Sequence, residues 1–249
     1  MELVWGSLLT RRRKRAPRVP AGLRIYAIGD VHGRADLLAG LFAVVDADVT
    51  ARPTSQVVEV LVGDYIDRGP QSRDVLDLLI RRRERHRTIC LKGNHETYLA
   101  EFLRNPTILT QWRSYGALET LVSYGLTPSI KPDEHEQREL AAALDRVLPE
   151  SHRRFLAALK PSFTCGDYFF VHAGVRPGVP LAEQQEQDLL WIRDDFLLHE
   201  DSFDKIIIHG HTAVTEPDIR PNRINIDTGA YASGRLTCLA LEGEHLSFI

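Results

Sequence analysis

Cysteine is one of the scarcest residues in this chain of 249 residues. The three cysteines stand far apart and are odd in number, so no framework of disulfide bonds is indicated: Cys90, Cys165 and Cys238. None has an arginine at the sixth position after it, as phosphatases with a Cys-x5-Arg nucleophile require. That class of enzyme is therefore disfavoured. Because each thiol lies in an apolar, strand-like run, we expect all three to be buried packing residues.

Long apolar runs are also missing. No stretch approaches the roughly 20 apolar residues that span a bilayer, and we expect a cytoplasmic protein. Near the start, the basic run RRRKR follows the short apolar stretch instead of preceding it, which is not the order of a secretory signal. The two stretches together could make a weak peripheral membrane contact. The alternative is a solvated, mobile tail, and we expect residues 1–22 to be basic and disordered.

A basic excess is missing from the rest of the chain. The net charge is −3, although residues 1–24 carry seven bases and one acid, so 24 bases and 33 acids remain in the body. An acidic body argues against a broad nucleic-acid-binding face, and we expect no stable nucleic-acid partner.

Short apolar runs alternate with helical patterns over residues 23–91, which predicts an α/β domain with parallel strand pairing. Residues 97–160 change to several helices broken by glycine and proline, after which strands dominate. We therefore predict one domain over residues 23–249 with a helical insertion at about 97–160. The predicted strands are Arg24–Ile28, Val57–Val62, Thr88–Leu91, Ser162–Cys165, Tyr168–Val171, Lys205–Ile208, Arg223–Ile226, Arg235–Leu241 and Leu246–Ile249, and the clearest helices are Asp36–Val49 and Ser72–Arg85.

Five of these strands run directly into polar clusters. The clusters are GDVHGR at 29–34, GDYIDRGPQS at 63–72, GNHE at 93–96, VHAG at 171–174 and HGHT at 209–212. In open α/β sheets, ligands bind at the carboxyl ends of the strands. Five such ends in one sheet would bring their side chains around one crevice.

The side chains at these ends are aspartate, histidine and asparagine. Carboxylate oxygen and neutral imidazole suit divalent ions such as Mn²⁺, Fe²⁺ and Zn²⁺, and only the carboxylate can bridge two ions. Taken singly, each cluster could be ordinary turn chemistry or a buried core histidine. Their joint occurrence at five strand ends favours a site with two metal ions and an activated water.

The five motifs, in this order, resemble the phosphoprotein phosphatase family of calcineurin-like metallophosphoesterases, in particular the bacterial serine/threonine protein phosphatases. The resemblance covers about residues 25–212 and implies a four-layer αββα sandwich with a helical insertion. It implies two divalent metal ions, with Mn²⁺ expected first and Fe or Zn²⁺ as alternatives. It assigns Asp30 and His32 to the first ion, Asp64 to both, and Asn94, His172 and His211 to the second.

The resemblance also implies the catalytic residues. His95 is expected to be the general acid for the leaving oxygen, with Asp67 paired to it. Arg68 and Arg193 match the phosphate-binding arginines, the latter through the short motif WIRDD at 191–195. His209 matches a variable position and is expected to be structural. Glu96 is expected to hold its loop, and the remaining histidines are expected at the surface: His86, His135, His152, His199 and His245.

Two substrates remain open at this point. The first expectation is a protein phosphatase acting on phosphoserine and phosphothreonine, with a phosphoprotein or phosphopeptide as its partner. The alternative is a hydrolase of dinucleoside polyphosphates such as diadenosine tetraphosphate, a group that typically lacks an acid where this chain has Asp67. A non-catalytic scaffold would predict missing ligands, and none is missing.

Overall fold

A computed structural model describes residues 16–249 of the protein. The expected mobile or membrane-contacting tail therefore lies outside the described residues, except for its last part. In that part Val19 is only 1% exposed, its N–H donates to the Gly243 carbonyl, and its side chain packs between the sheets. Val19 thus packs against the domain that we predict to begin at residue 23.

The domain is built on two five-stranded sheets. The strands are β1 Leu23–Ile28, β2 Gln56–Leu61, β3 Thr88–Cys90, β4 Ser162–Cys165, β5 Tyr168–Val171, β6 Ile206–His209, β7 Asp218–Ile219, β8 Arg223–Asn225, β9 Cys238–Glu242 and β10 His245–Phe248. The first sheet has the order β10-β9-β1-β2-β3 and the second the order β4-β5-β6-β8-β7. In the first sheet β1, β2 and β3 run parallel, and the antiparallel strands β9 and β10 lie beyond β1. In the second sheet the central strands β5, β6 and β8 run parallel, and β4 and β7 are antiparallel at its two edges.

The first strand shows why the two sheets stack. Successive side chains of a strand point to opposite faces of the sheet. In β1, Ile25 and Ala27 pack between the two sheets, whereas Tyr26 and Ile28 pack against helices on the outer face. Since both faces are covered, the strand is apolar almost throughout and carries no polar alternation.

Helices form the two outer layers. The first sheet is covered by a large helical layer and the second by a thin one made of α8 and α9. No helix among residues 16–249 is both long and apolar enough for a membrane span. The helices are α1 Ala35–Ala51, α2 Ser72–Arg83, α3 Asn94–Phe102, α4 Leu109–Trp112, α5 Ala117–Ser123, α6 Glu134–Val147, α7 Glu150–Ala157, α8 Glu186–Trp191, α9 Asp194–Leu197 and α10 Ala230–Ser233.

The expected four-layer αββα metallophosphoesterase sandwich is confirmed. The expectation that all five polar strand ends share one sheet is wrong, because β1, β2 and β3 lie in the first sheet and β5 and β6 in the second. Predicted strand bounds were mostly within two residues, although β9 begins at Cys238 and not at Arg235.

Two expectations about burial also need correction. His152 is fully buried. Its Nδ1 lies 2.7 Å from the Tyr124 hydroxyl, and its Nε2 lies 3.0 Å from Asp77 Oδ1. It therefore links α7 to α5 and α2 inside the helical layer. Among the thiols, Cys90 and Cys238 are buried as expected, whereas Cys165 is only half-buried.

Candidate metal centre

Side chains from both sheets converge where the parallel strands end. Asp30 and Asp64 follow β1 and β2, and Asn94 opens α3 just after β3. His172 and His211 follow β5 and β6 and approach from the second sheet. All of these side chains are buried except that of His211, which is partly exposed. The six expected ligand residues, with His32 as the sixth, thus come together at one edge of the sandwich.

Asp64 lies between two groups of ligand atoms. Its Oδ2 is 3.5 Å from His32 Nε2, and its Oδ1 is 3.4 Å from His172 Nε2. Asn94 Oδ1 lies 2.8 Å from the same nitrogen of His172 and 2.9 Å from His211 Nδ1. Each oxygen of the Asp64 carboxylate therefore faces a different set of donors, which is the arrangement that a carboxylate shared by two ions requires.

Two of the imidazoles are held in one tautomer by backbone carbonyls. His32 Nδ1 lies 3.0 Å from the Ile66 carbonyl oxygen, and His172 Nδ1 lies 3.0 Å from that of Val62. Because a carbonyl can only accept, each Nδ1 carries the proton and each Nε2 turns its lone pair toward Asp64. Fixing the second ring nitrogen in this way is how proteins orient metal-binding histidines.

The remaining atoms of the cluster fit a metal for a different reason. Asp30 Oδ1 is buried and has no hydrogen-bond partner among residues 16–249. Asp30 Oδ2, by contrast, accepts from the His211 backbone N–H at 2.9 Å. A buried polar atom without a partner is costly unless something else satisfies it, and the oxygen and imidazole donors here suit a divalent cation.

The charge states of these groups point the same way. Burial, together with the carboxylates of Asp227 and Asp64, raises the pKa of Asp30 well above its ordinary value. Burial also holds the pKa of His32 and His172 well below the ordinary value, and it lowers the pKa of His211 to about 3. Neutral imidazoles beside crowded carboxylates form a site that a cation would stabilise.

His95 differs from its neighbours. Burial works to lower its pKa, but the Asp64 charge and the hydrogen bond with Asp67 outweigh burial and raise that pKa above its ordinary value. The His95 Nδ1 lies 2.7 Å from Asp67 Oδ2. The same carboxylate accepts from Trp112 Nε1 at 2.6 Å and from Thr120 Oγ1 at 2.5 Å. A fully buried aspartate thus favours the protonated form of the imidazole at the edge of the ligand cluster.

The backbone of the site is strained. Six non-glycine residues among those described have positive φ, and five of them lie here: His32, Asp64, Asp67, Arg68 and His211. Such conformations cost about 1–3 kcal/mol each and persist where the surroundings enforce them. At Gly93 and Gly210 a Cβ would overlap a carboxylate oxygen, of Asp64 and Asp30 respectively. The two glycines therefore let the neighbouring strand ends close around these carboxylates.

The two arginines lie on opposite sides of the cluster. The Arg68 guanidinium stands 4.8 Å from the centre of the Tyr231 ring, and its charge acts on Asp30, Asp64 and His95. Arg193 is exposed, and its Nη1 donates to Thr212 Oγ1 at 3.2 Å, beside His211. Both could therefore reach an anion placed over the ligand cluster.

A sequence profile of the calcineurin-like phosphoesterases matches residues 23–238, most of the chain. The chain is a calcineurin-like phosphoesterase. Members of this family use a dinuclear divalent metal centre, and the His32–Asp64 and Asp64–His172–His211 groups supply candidate ligands for one. The profile thus covers every predicted ligand of the phosphoesterase.

Two curated relatives of the phosphoesterase bear the same name. An Anoxybacillus flavithermus protein called asymmetrical bis(5'-nucleosyl)-tetraphosphatase PrpE is 26% identical, and the match covers 85% of this chain and 88% of the relative. A Bacillus mycoides protein of the same name is 28% identical over the same shares.

Solved structures share the fold. A provisionally assigned diadenosine tetraphosphatase has a TM-score of 0.58 at 19% identity, covering 94% of this chain and 98% of its own. A cold-active protein tyrosine phosphatase has a TM-score of 0.57 at 16% identity, covering 93% of this chain and 78% of its own. A Saccharomyces cerevisiae protein serine/threonine phosphatase has a TM-score of 0.56 at 15% identity, covering 92% and 79%.

His209 and Glu96 occupy supporting positions in the phosphoesterase. His209 is buried edge-on against Phe196, with the ring centroids 4.9 Å apart, and its Nδ1 lies 3.1 Å from the Gly210 carbonyl oxygen. The Glu96 carboxylate accepts from the backbone N–H groups of Gly93, Asp64 and Tyr65. It therefore ties the end of β2 to the start of α3.

Asp227 is a site residue that the sequence argument missed. It is buried, its carboxylate accepts from the Gly229 N–H at 2.9 Å, and its charge acts on Asp30. The signal is partial, because Asp227 follows the strand-like run 223–226 as Asp30 and Asp64 follow theirs, but no glycine stands directly before it. Trp112 and Thr120, which hold Asp67, carried no comparable signal in the sequence.

A third group of side chains of the kinds that bind metals lies outside this site. Asp46, Glu59 and His86 approach one another below the first sheet. The guanidinium of Arg82 lies between the two carboxylates and makes ion pairs with both. The positive charge of Arg82 already neutralises these two carboxylates. The group therefore differs from the ligand cluster at the strand ends, which a cation would stabilise.

Proposed function

We propose that the protein is a metal-dependent phosphomonoesterase that hydrolyses phosphoserine and phosphothreonine in proteins, with Mn²⁺ as its first-choice metal. The observation that carries this proposal is the His95–Asp67 pair, 2.7 Å apart and buried beside Asp64. Serine and threonine leave as alkoxides, which are strong bases and poor leaving groups. A proton on His95 can be donated to the leaving oxygen. Proton transfer from a positioned side chain typically contributes about 10²–10⁴-fold to the rate.

The other residues have separate tasks in this proposal. Asp30, His32, Asp64, Asn94, His172 and His211 would hold the two ions, which, when bound, supply an activated water and charge neutralisation at phosphorus. Arg68 and Arg193 would bind the non-bridging phosphate oxygens, since the planar guanidinium matches their geometry. His95 Nε2, on the ring edge opposite Asp67, lies 3.7 Å from Asp64 Oδ2 and so faces the reacting phosphate.

Asp67 keeps the imidazole ready to donate. Its bond to His95 Nδ1 orients the ring and favours the protonated form, so that Nε2 carries the proton for the leaving oxygen. After cleavage the neutral imidazole would regain a proton from solvent.

A second candidate is the hydrolysis of dinucleoside polyphosphates. It is favoured by the names of the curated relatives at 26–28% identity. The leaving group in that reaction is a nucleotide phosphate, a much weaker base than an alkoxide, so it needs less help from an acid. The buried His95–Asp67 pair therefore supports the phosphomonoesterase more directly.

The two candidates are separated by one panel of substrates. The Mn²⁺-reconstituted protein is assayed for kcat/KM on phosphoserine and phosphothreonine peptides, a phosphotyrosine peptide and diadenosine tetraphosphate. We expect the phosphoserine and phosphothreonine peptides to be preferred and to depend strongly on His95, with the exposed His135→Asn as the matched control for His95→Asn. Preference for the dinucleotide, with little loss in His95→Asn, would establish the second candidate instead.

A further inference from the structure

Tyr231 stands at the mouth of the ligand cluster although none of the five motifs contains it. It lies on α10, and its side chain remains 39% exposed. Its ring meets His32 edge-on, with the centroids 5.5 Å apart. The start of α10 is tied to the first motif, because Arg34 Nη1 donates to the Ala230 carbonyl at 3.0 Å. Tyr231 is thus fixed to the site through the backbone and not by burial.

The second partner of this ring is Arg68, whose guanidinium carbon lies 4.8 Å from the ring centroid. Among residues 16–249 the Arg68 guanidinium makes no hydrogen bond and no ion pair with another side chain. Arginine presents its N–H donors around the edge of the guanidinium plane, whereas the plane itself stacks on aromatic rings. The guanidinium carbon of Arg68 lies over the ring of Tyr231, so the ring restrains the charged end while its N–H donors remain free for an anion.

The backbone of Arg68 is constrained as well. Its φ is 66°, and its N–H donates to the Gly116 carbonyl at 3.2 Å. These contacts fix the Cα, but the long side chain beyond it keeps several rotatable bonds. The contact with Tyr231 restrains the charged end of the side chain. Arg193 is held differently, because one of its donors is already used by Thr212.

We propose that Tyr231 is a positioning residue that orients the Arg68 guanidinium for the phosphate of the substrate. This inference rests on the proposed function, in which Arg68 binds phosphate oxygens. The aromatic ring of Tyr231 makes the contact with Arg68, and the hydroxyl group is not needed for that contact. Loss of the ring lets Arg68 move among several conformations, so phosphate is bound more weakly, whereas the acid step at His95 is unaffected.

The first test is a double-mutant cycle on phosphate binding. The Kd of inorganic phosphate for the Mn²⁺-loaded protein is measured by calorimetry for the wild type, Tyr231→Leu, Arg68→Ala and the double variant. A cation–π contact at a partly exposed position corresponds to about a two- to fivefold change in an equilibrium constant. We expect that increase in Kd for Tyr231→Leu and no further increase when Arg68 is already alanine.

Tyr231→Phe is the matched variant, because it keeps the ring and removes only the hydroxyl. It should retain the wild-type Kd, and KM on a small aryl phosphate should follow the same order with kcat changed little. Phe248→Leu, at an aromatic residue that is 40% exposed on β10, is the control for a surface aromatic and should change nothing. Equal losses for Phe and Leu at position 231, or an undiminished effect of Tyr231→Leu in the Arg68→Ala background, would overturn the proposal.

A second readout needs neither metal nor turnover. The ring current of Tyr231 should move the Arg68 Nε–H resonance upfield in the metal-free protein, labelled with ¹⁵N on arginine side chains. That shift should persist in Tyr231→Phe and disappear in Tyr231→Leu, and an unchanged resonance in Tyr231→Leu overturns the contact. If the shift and the binding cycle behave as expected but no phosphopeptide is hydrolysed, the proposed function fails and the role of Tyr231 stands.

Discussion

Asp67 Oδ2 lies 2.7 Å from His95 Nδ1 and receives a second hydrogen bond, at 2.6 Å, from the indole N–H of Trp112. The carboxylate is fully buried, so few groups can neutralise its charge. Among residues 16–249, His95 is the only titratable side chain that hydrogen-bonds to it. A buried carboxylate of this kind stabilises an imidazolium more strongly than a solvated one could. The charge state of His95 is therefore tied to Asp67.

Replacing His95 by asparagine should separate acid catalysis from metal binding. We expect a loss of about 10²–10⁴-fold in kcat on phosphoserine peptides, since proton donation is removed. Loss on an aryl phosphate should be far smaller, because an aryloxide leaves without a proton. Asp67→Asn should show the same pattern more weakly. Elemental analysis should find both metals retained in each variant, and a lost ion or equal losses on the two substrates would contradict the assignment of His95.

The pH dependence of kcat should be set by the same His95–Asp67 pair. His95 is active as an acid when protonated, so kcat on phosphoserine peptides should fall as pH rises through its pKa, which lies above the ordinary value. Asp67→Asn removes one of the interactions that raise this pKa. The alkaline limb should therefore move to lower pH in that variant, and it should stay in place in His135→Asn. An alkaline limb that does not move in Asp67→Asn would show that another group controls it.

Asp64 should be the most sensitive ligand for metal content. Asp64→Asn weakens the carboxylate that faces both donor sets, so we expect at least about a 100-fold loss in rate, as changes to ligand partners alone can cost that much. Chelation should abolish activity on an aryl phosphate, and Mn²⁺ should restore it. Rates and metal content are measured together, so that loss of rate can be assigned to loss of an ion.

Two neighbouring histidines supply the control for that experiment. His211→Ala should lose metal and activity, because its Nδ1 faces Asn94 and His172. His209→Ala should keep most of its activity and bound metal, although its melting temperature should fall, since the buried ring packs on Phe196. The reverse order of severity would show that the wrong histidine has been assigned to the metal.

Arg82 should matter for stability and not for chemistry. Its guanidinium contacts both oxygens of Glu59, which is only 1% exposed, and Asp46 on its other side. Arg82→Met leaves the Glu59 charge buried without its cation, so the free energy of unfolding should fall by about 3–5 kcal/mol. Arg81→Met, at the exposed neighbour, should change it by less than about 0.5 kcal/mol. Urea denaturation compares them, and similar values would contradict the buried ion pair.

Much of the fold could be predicted because the strands of the first sheet are covered on both faces. β1 and β2 are nearly continuous apolar runs that end at a glycine and an aspartate, and both signals are local in the sequence. Which sheet a strand joins is not local. Phe169–Val171 and Ile206–Ile208 look like further strands of the same sheet, yet they form a second one that packs on the first.

The site likewise contains residues that the sequence predicts and residues that it does not. The candidate ligands are recognisable because each lies in a short motif at a strand end. The groups that hold them come from elsewhere: Thr120 and Trp112 reach Asp67 from the helical layer, 53 and 45 residues away along the chain. His152 has the polar sequence neighbours of a surface group, but its partners lie far away in the sequence: the buried Tyr124 directly follows α5, and the half-exposed Asp77 lies on α2.

The pairing of β1 with β9 has a consequence for how the protein is made. Ile28, the last residue of the strand that leads to Asp30, pairs with Cys238, which the ribosome adds near the end of the described chain. Until then one edge of β1 stays open, and the nascent chain exposes unpaired backbone N–H and C=O groups there. Because β1 and β9 are far apart in the sequence, their pairing forms slowly, and the strand end that carries Asp30 gains its second neighbour only after Cys238 has left the exit tunnel. During that interval the open edge of β1 is exposed to pairing with other chains.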